Sequence, residues 1–451
     1  MAAGLLAAPG VASAAAPSPI EATYASLGGP SGVLGAALGA EDCTRTGGGC
    51  VQDYVNGEIV WSAGTGAHAL TQEDVLVAWL EVGAEDGDLG YPATDTFCGL
   101  RDGGCGQHLT GGSVYWSAAT GAVAVPEELR RTWAATGWEY GPLGYPTAQP
   151  ECGLEYGTCL QRFQRGSVYA VPGLRPSATY GPVLDVWAAQ GWEHGSLGLP
   201  TSSVFCGLRG GGCGEHFEDG SVYWSPATGG HVVRGDVYDS WAAQGWEQGV
   251  LGLPVSDPFT TVQGGAGRHF RGGSVYEARG ETHVVPGAIR DRWAALGWER
   301  GQLGPPTGAA FCGLRDGGCG QHFQGGAIYS SAAGVFAVPD GLRVGWAATG
   351  WEGGPLGFPT SALFCGLRDG GCGQFFQGGA VYSSGPVGVR DIRVRTYPGC
   401  AVSSPFFAAW AAQGWENGRL GYPTSNAYQA PGGLTQSFQH GSLQLVNGQV
   451  R

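Results

Sequence analysis

The chain contains no lysine. All 23 of its basic residues are arginine, set against 37 acidic ones, for a net charge of −14. A nucleic-acid binder needs a basic face to neutralise phosphates, and nothing here supplies one. Charged residues of both signs make up only 13% of the chain, and methionine occurs once. No run reaches the ~18 apolar residues that a membrane span requires. Catalytic signatures are missing too: there is no Gly-x-Ser-x-Gly elbow, no His-Glu-x-x-His helix and no P-loop. No single-copy pairing of nucleophile and base stands out. The expectation is a protein that is no enzyme and uses no cofactor or metal. Glycine is abundant, at 86 of 451 residues, beside 16 Trp, 17 Tyr and 16 Phe. Disordered chains have few aromatics and high charge, so this one folds through short elements and tight turns.

The segment Gly-Trp-Glu-x-Gly-x-Leu-Gly-x-Pro recurs, with its cleanest copies at 191–200 and 245–254. The glycine after the leucine falls at Gly35, Gly90, Gly144, Gly198, Gly252, Gly304, Gly357 and Gly421, in steps of 55, 54, 54, 54, 52, 53 and 64 residues. A period near 54 means one supersecondary unit repeated. Eight units are expected: 20–71, 72–126, 127–173, 174–233, 234–285, 286–338, 339–404 (with an insertion near 385–404) and 405–451. A residue present in every copy builds the unit, whereas chemistry done once per molecule belongs at a position present once.

Each unit opens with an apolar residue four places before an aromatic: Ile20 and Tyr24, Val75 and Trp79, Leu129 and Trp133, Val183 and Trp187, Val237 and Trp241, Ile289 and Trp293, Leu342 and Trp346, Phe406 and Trp410. Such a pair faces one side of a helix. A glycine follows at Gly137, Gly191, Gly245, Gly297, Gly350 and Gly414, where it signals a helix C-terminus. A helix of about two turns is too short to stand alone, so it must pack against something. The Leu-Gly-x-Pro turn comes next, its leucine directed at the core. Then follow extended stretches and a hairpin, such as 111–122, in which Val and Tyr alternate and Thr-Gly makes the turn. The fold class expected is mainly β with one short helix per ~54-residue unit, closed into a propeller-like toroid. The alternatives are a linear array or two smaller rings.

Twelve of the 13 cysteines form six pairs of identical spacing: Cys43 and Cys50, Cys98 and Cys105, Cys152 and Cys159, Cys206 and Cys213, Cys312 and Cys319, Cys365 and Cys372. Two units lack the pair, and each lacks both members, as local disulfides predict. Closing so short a loop stabilises by roughly 2–3 kcal/mol on the chain-entropy estimate. Disulfides in turn imply an oxidising, extracytoplasmic compartment. The rival is zinc, since His108, His216 and His322 follow the second Cys at a fixed distance. The spacing Cys-x6-Cys-x2-His is not that of a zinc site, and His269 persists where both Cys are absent, so no metal is expected. Cys400 is left over, in the insertion, as a free thiol or an intermolecular bridge. Residues 1–19 resemble the apolar half of a secretory signal peptide with an Ala-x-Ala cleavage pattern at Ala12-Ser13-Ala14, although no basic residue precedes Arg45.

These motifs resemble the LGFP-repeat family, named for a Leu-Gly-Phe-Pro motif that residues 356–359 carry literally, with Leu-Gly-Tyr-Pro or Leu-Gly-Leu-Pro in other copies. The resemblance covers the chain from about Ile20 to Arg451. It implies association with actinobacterial cell envelopes, often beside mycoloyltransferase or peptidoglycan-hydrolase domains that the repeats hold to the wall, and a propeller-like β-ring. No companion enzyme domain accompanies the repeats in this sequence.

The glutamate of Gly-Trp-Glu stands at Glu139, Glu193, Glu247, Glu299, Glu352 and Glu416, with Glu85 in the copy that has Ala84 for Trp. A glycosidase needs two carboxylates across one bond; seven equivalents argue for a structural bond to turn N–H groups. Thirteen of the 16 Trp occupy two repeat positions and are expected in the core. The other three, Trp61, Trp116 and Trp224, share one hairpin position that elsewhere holds Ala170, Glu277, Ser330 and Ser383. That variation, and strand alternation, predict a solvent-facing platform for a sugar ring or apolar partner. His108, His216, His269 and His322 are candidates to bond glycan hydroxyls, against the plainer role of local strand bonds. The turn arginines Arg101, Arg209, Arg315 and Arg368 are expected on exposed loops. The function expected is a secreted, wall-associated, non-catalytic protein that binds wall polysaccharide by avidity over many weak sites. A wall hydrolase built by the repeats, or a structural protein-binding factor, are the alternatives. The oligomeric state stays open.

Overall fold

In a computed structural model, residues 16–383, 400–403 and 405–451 are described. The signal-like segment up to residue 15 and most of the insertion near 385–404 lie outside them. The described residues fall into two compact units: those up to 206 with 213–222, and 207–212 with those from 223 on. Three sheets lie wholly in the first unit and four in the second; the border falls within the strands of residues 205–233.

The repeated element is an antiparallel meander. In the second sheet, Phe97–Cys98, Cys105–Leu109, Gly112–Ser117 and Gly121–Pro126 lie side by side in chain order. The third sheet has only three strands, Cys159–Phe163, Gly166–Ala170 and Ser177–Tyr180, with a lone bridge at Glu151 in place of the first. Each sheet follows a short α-helix: Pro19–Ser26, Glu73–Glu81, Glu127–Ala135, Gly181–Ala189, Gly235–Ala243, Gly287–Ala295, Asp340–Ala347 and Phe406–Ala411. Strand pairing stops at the edge of each meander, and no closed barrel or propeller is found among the described residues. The described residues show the coarser part of the expected fold, mainly β in separate antiparallel sheets with a short helix to each. The helix breaks the strand ladder between one meander and the next, and neighbours are joined by side chains and by single backbone bonds, such as Thr96 N–H to the Ala69 carbonyl and Val204 N–H to the Ala178 carbonyl, both at 2.9 Å.

Helices between two sheets serve both. Trp133 packs with Tyr115 and Val125 of the sheet before it and with Phe163, Val168 and Ala178 of the sheet after it. Trp346 does the same between Tyr329 and Val338 on one side and Phe376 and Val381 on the other. All seven helix Trp are almost wholly buried, as is the Leu of every Leu-Gly turn. The indole N–H of each needs a partner when buried and finds the carbonyl of the turn glycine eleven residues on, as in Trp133 to Gly144 and Trp293 to Gly304, both at 3.0 Å. Helix and turn are thus one device.

Two further ties run from sheet to sheet. One is the cystine turn. All six expected disulfides are formed: Cys43 with Cys50, Cys98 with Cys105, Cys152 with Cys159, Cys206 with Cys213, Cys312 with Cys319, and Cys365 with Cys372. Their second members differ in setting. Cys105 and Cys372 are buried, whereas Cys213 and Cys319 are half-buried at the start of the strand that carries the histidine. In every pair both thiols are consumed by the bond, so none of them is left to ligate a metal with that histidine. The Arg101 carbonyl of one such turn accepts from the Tyr145 hydroxyl at 2.7 Å, and the Arg101 guanidinium donates to the Glu139 carbonyl at 2.8 Å. Arg315 and Arg368 reach the Glu352 and Glu416 carbonyls in the same way. The loop arginines lie on open turns as expected, Arg209, Arg315 and Arg368 exposed and Arg101 half-buried, and Arg101, Arg315 and Arg368 also clip one repeat to the next. Gly104 has to be glycine, since a Cβ there would meet the Tyr145 hydroxyl at 2.2 Å.

The other tie is a buried polar residue on the second strand, which the sequence reading passed over. Gln321 Nε2 donates to the carbonyls of Gly308 and Val284, both at 3.0 Å, and Gln374 Nε2 to those of Ser361 and Ala337, both at 2.9 Å. Val284 and Ala337 belong to the preceding sheets, so the glutamine fixes the register between neighbours. Gln52, Gln107, Gln161 and Gln436 share the position. In two repeats it is charged: Glu215 and Arg268, both buried.

Candidate ligand-binding grooves

The Trp of Gly-Trp-Glu is not a core residue, contrary to expectation. Trp138, Trp246, Trp298, Trp351 and Trp415 are half-buried, and Trp192 is 42% exposed. All six adopt left-handed backbone, with φ between 55° and 58°, after a glycine that is also left-handed. A bulky residue there stores strain of roughly 1–3 kcal/mol. The double reversal turns the indole back over the second strand of the preceding sheet.

There it meets the histidines. His269 lies between Phe259 (4.8 Å between ring centres) and Trp298 (5.0 Å), and its Nδ1 bonds Ser274 Oγ at 2.7 Å. His108 lies between Phe97 (5.0 Å) and Trp138 (6.1 Å) and bonds Ser113 Oγ at 2.7 Å. His216 bonds Ser221 Oγ at 2.8 Å, and His322 takes Arg343 as partner at 2.9 Å. Phe375 stands at this place in the seventh sheet, 6.5 Å from Trp415. Burial, then the nearby Arg130, Arg290 or Arg343, holds His108, His269 and His322 below the usual imidazole pKa. At neutral pH they are uncharged rings. The local-bond role is met on one nitrogen in each, and the ring of His269 also lines a cleft.

Three clefts open at this equivalent position. One of about 260 Å³ is lined by Phe259, His269, Tyr276 and Trp298, and one of about 420 Å³ by Phe375, Phe407 and Trp415. The third, about 780 Å³, is lined among others by Leu160, Arg162, Tyr169, Leu184, Asp185 and Trp192. Its lining differs from that of the other two clefts at three positions of the sheet. In the fifth sheet a Phe ring lies on a strand glycine with no room for a Cβ, Phe259 on Gly267, as Phe97 does on Gly106 in the second. In the third sheet the Phe is Glu151 and the glycine is Leu160; Arg162 replaces His and pairs with Glu151 at 3.3 Å. Arg130 and Arg343 cover Trp138 and Trp351 at 5.7 and 5.9 Å. Leu184 stands at that helix position before Trp192, where no cation can lie over the ring.

The other candidates sit elsewhere. Trp61 and Trp116 are half-buried, opposite Cys50 and Cys105 on the paired strand, and each packs on its sheet's apolar cluster; Trp224 is likewise half-buried. Ala170 and Ser383 at the same position are buried, Ser383 opposite Cys372, so the position is less open than strand alternation predicts. Glu139, Glu247 and Glu416 are buried; Glu247 and Glu416 accept from the next residue's side-chain amide, Gln248 at 3.2 Å and Asn417 at 2.9 Å, rather than from turn N–H groups. Cys400 begins a strand, and its side chain lies outside the description. No helix among the described residues is long and apolar enough to cross a membrane.

A family model described as the LGFP repeat matches residues 34–87, 89–141, 143–195, 197–249, 251–301, 303–354 and 356–418. The eight units expected are thus corrected to seven. Each window runs from a Leu-Gly turn through a sheet to the next Gly-Trp-Glu turn, so the first helix and the last sheet fall outside, as loose ends of the frame. No curated protein matches the chain. Among solved structures, the extracellular domain of a hybrid two-component system of B. thetaiotaomicron is 8% identical, with TM-score 0.13, over 77% of this chain and 38% of its own. A second such domain from that organism is 10% identical, with TM-score 0.13, over 88% and 43%. The extracellular domain of a one-component system is 8% identical, with TM-score 0.12, over 90% and 64%. The chain spans less than two thirds of the length of each, and scores at this level mark no shared fold.

Proposed function

The chain belongs to the LGFP-repeat family, and from that premise we propose that it is a secreted, non-catalytic protein of the cell envelope that binds wall polysaccharide through its Trp-lined grooves. The supporting observation is the recurrence of one groove: an indole held in strained backbone over the second strand of the preceding sheet, opening as a cleft in the windows 143–195, 251–301 and 356–418. A half-buried aromatic face beside polar edges suits the apolar face and hydroxyls of a sugar ring. Strain kept where a Gly would be relaxed fits a functional position better than a structural one, and Ala84 shows that the turn forms without the indole. Several equivalent grooves on one chain add avidity without one strong site. Six disulfides suit the oxidising environment outside the cytoplasm.

The test is retention on insoluble cell wall of the wild type against the triple variant Trp192→Ala, Trp298→Ala, Trp415→Ala. Retention of the first and at least tenfold weaker retention of the second is expected. Equal retention of both would move the binding face away from the grooves, and no retention of either would end the glycan reading.

A further inference from the structure

The grooves are not equal. We infer that the cleft of window 143–195 is the dominant site of the chain and that it takes a short uncharged oligosaccharide, one ring stacked on Trp192. This inference rests on the glycan reading above and gives it a place and a chemistry.

The cleft is about 780 Å³, against about 260 and 420 Å³ for its equivalents. It lies within the roughly 300–1,000 Å³ range of small-molecule sites, and the smallest of the three falls below it. Trp192 is the most exposed indole of its set. Stacking needs an open face, and the cationic cover that Arg130 and Arg343 give to other copies is replaced by Leu184.

The charges set the ligand class. Two arginines reach the cleft, and both are already engaged. Arg162 pairs with the Glu151 carboxylate, and Arg165 donates from Nε to the Pro142 carbonyl at 2.8 Å and from Nη2 to the Gly141 carbonyl at 2.6 Å. Asp185 and Glu193 line the same space. A uronate or phosphodiester would meet two compensated cations and two carboxylates on a chain of net charge −14, so like-charge repulsion works against it. Sugar hydroxyls, which donate as readily as they accept, suit carboxylates and guanidinium edges together.

The experiment uses the full chain on an array of soluble neutral oligosaccharides of two to six hexose or pentose units, with uronate-bearing and sulfated members alongside. The best binder is then titrated with wild type, Trp192→Ala, Asp185→Asn and Trp298→Ala. Near-UV circular dichroism confirms that each variant is folded, and Trp192→Phe is the conservative control. The expected result is a neutral ligand whose Kd rises tenfold or more in Trp192→Ala and several-fold in Asp185→Asn. It should change less than twofold in Trp298→Ala and partly recover in Trp192→Phe. Equal losses in Trp192→Ala and Trp298→Ala would overturn the dominance of this cleft and leave the glycan function standing. A best ligand bearing carboxylate or sulfate, lost on Arg162→Gln, would overturn the neutral class. A wild type that binds no glycan would overturn this inference and the proposed function together.

Discussion

Windows 143–195 and 251–301 are two copies of one design that differ in three linked places. The first has a disulfide, Cys152–Cys159; the second has none, and Glu277 accepts from the Ala266 N–H at 2.9 Å while Thr261 Oγ1 accepts from the Gly265 N–H at 3.0 Å. The first has Glu151, Leu160 and Arg162 where the second stacks Phe259 on Gly267 beside His269. The first buries neutral Gln161 where the second buries Arg268. What they share is the buried helix Trp bonded to the Leu-Gly turn, Trp187 to Gly198 at 3.2 Å and Trp293 to Gly304 at 3.0 Å. The scaffold therefore tolerates replacement of its clip, its groove lining and its register residue, provided the helix and turn stay joined. Phe on Gly and Glu with Leu are alternative fillings of one space, and the indole beside the second, Trp192, is the more exposed.

The comparison can be broken first at what is shared. Trp187→Ala and Trp293→Ala should each cost about 3–5 kcal/mol by urea unfolding, as large-to-small changes at full burial do. A gap between the two of more than about 2 kcal/mol would show that the windows do not share a scaffold.

The clips come next. Cys152→Ser with Cys159→Ser should cost about 2–3 kcal/mol, whereas Glu277→Ala should cost about 1–2 kcal/mol for one lost bond to a charged acceptor. The same urea midpoints give both, and the reverse order would deny that the polar pins of 251–301 replace a cystine.

The register position offers a smaller, signed effect. Arg268 is buried with Nη1 unpartnered, and desolvation lowers its pKa to about 10. Replacing a buried charge by a neutral group of the kind used elsewhere in the array should gain about 1–2 kcal/mol in Arg268→Gln. Glu215 adds a pH test. Burial raises its pKa well above the usual carboxylate value, against the lowering effect of the Thr179 hydroxyl. The raised pKa means that the fold favours the protonated acid, a near-copy of glutamine. That contribution is complete below the ordinary carboxylate pKa and is lost as pH rises through the raised one. Glu215→Gln should therefore match wild type at pH 4 and gain over it steadily from pH 5 to 8 in thermal melts. A gain independent of pH would show that the carboxyl is ionised in the fold.

The smallest effect on stability, within about 1 kcal/mol, is expected from moving the open groove. Phe259→Glu, Gly267→Leu and His269→Arg together should uncover Trp298, read as a gain in acrylamide quenching of its fluorescence. Unchanged quenching would mean that the linings of the two windows are not interchangeable.

Much of this was legible in the chain. The i, i+4 pairs mark the helices, and the fixed cysteine spacing marks the six disulfides. The constant leucine and the Trp–Gly distance of eleven mark the joint between helix and turn. The Gly-Trp-Glu Trp was not legible as surface, because a bulky aromatic at a repeated position has the pattern of core. Only its positive φ, which no residue preference suggests for Trp, turns it outward. The strand glutamine was also missed. Its recurrence from Gln52 to Gln436 was a usable signal, but a polar residue on a short strand looks solvent-facing until the next sheet covers it.

Sequence by itself determined the period, the class of each element and the oxidising compartment, since these depend on local spacing and residue chemistry. The tertiary structure alone decided which residues of successive repeats come together: Arg101 on Glu139, Gln321 on Val284, Trp192 around one cleft with Leu160 and Arg162. Those contacts join residues up to about 40 positions apart, and a groove between two turns exists only once the helix between them has packed against both of its sheets.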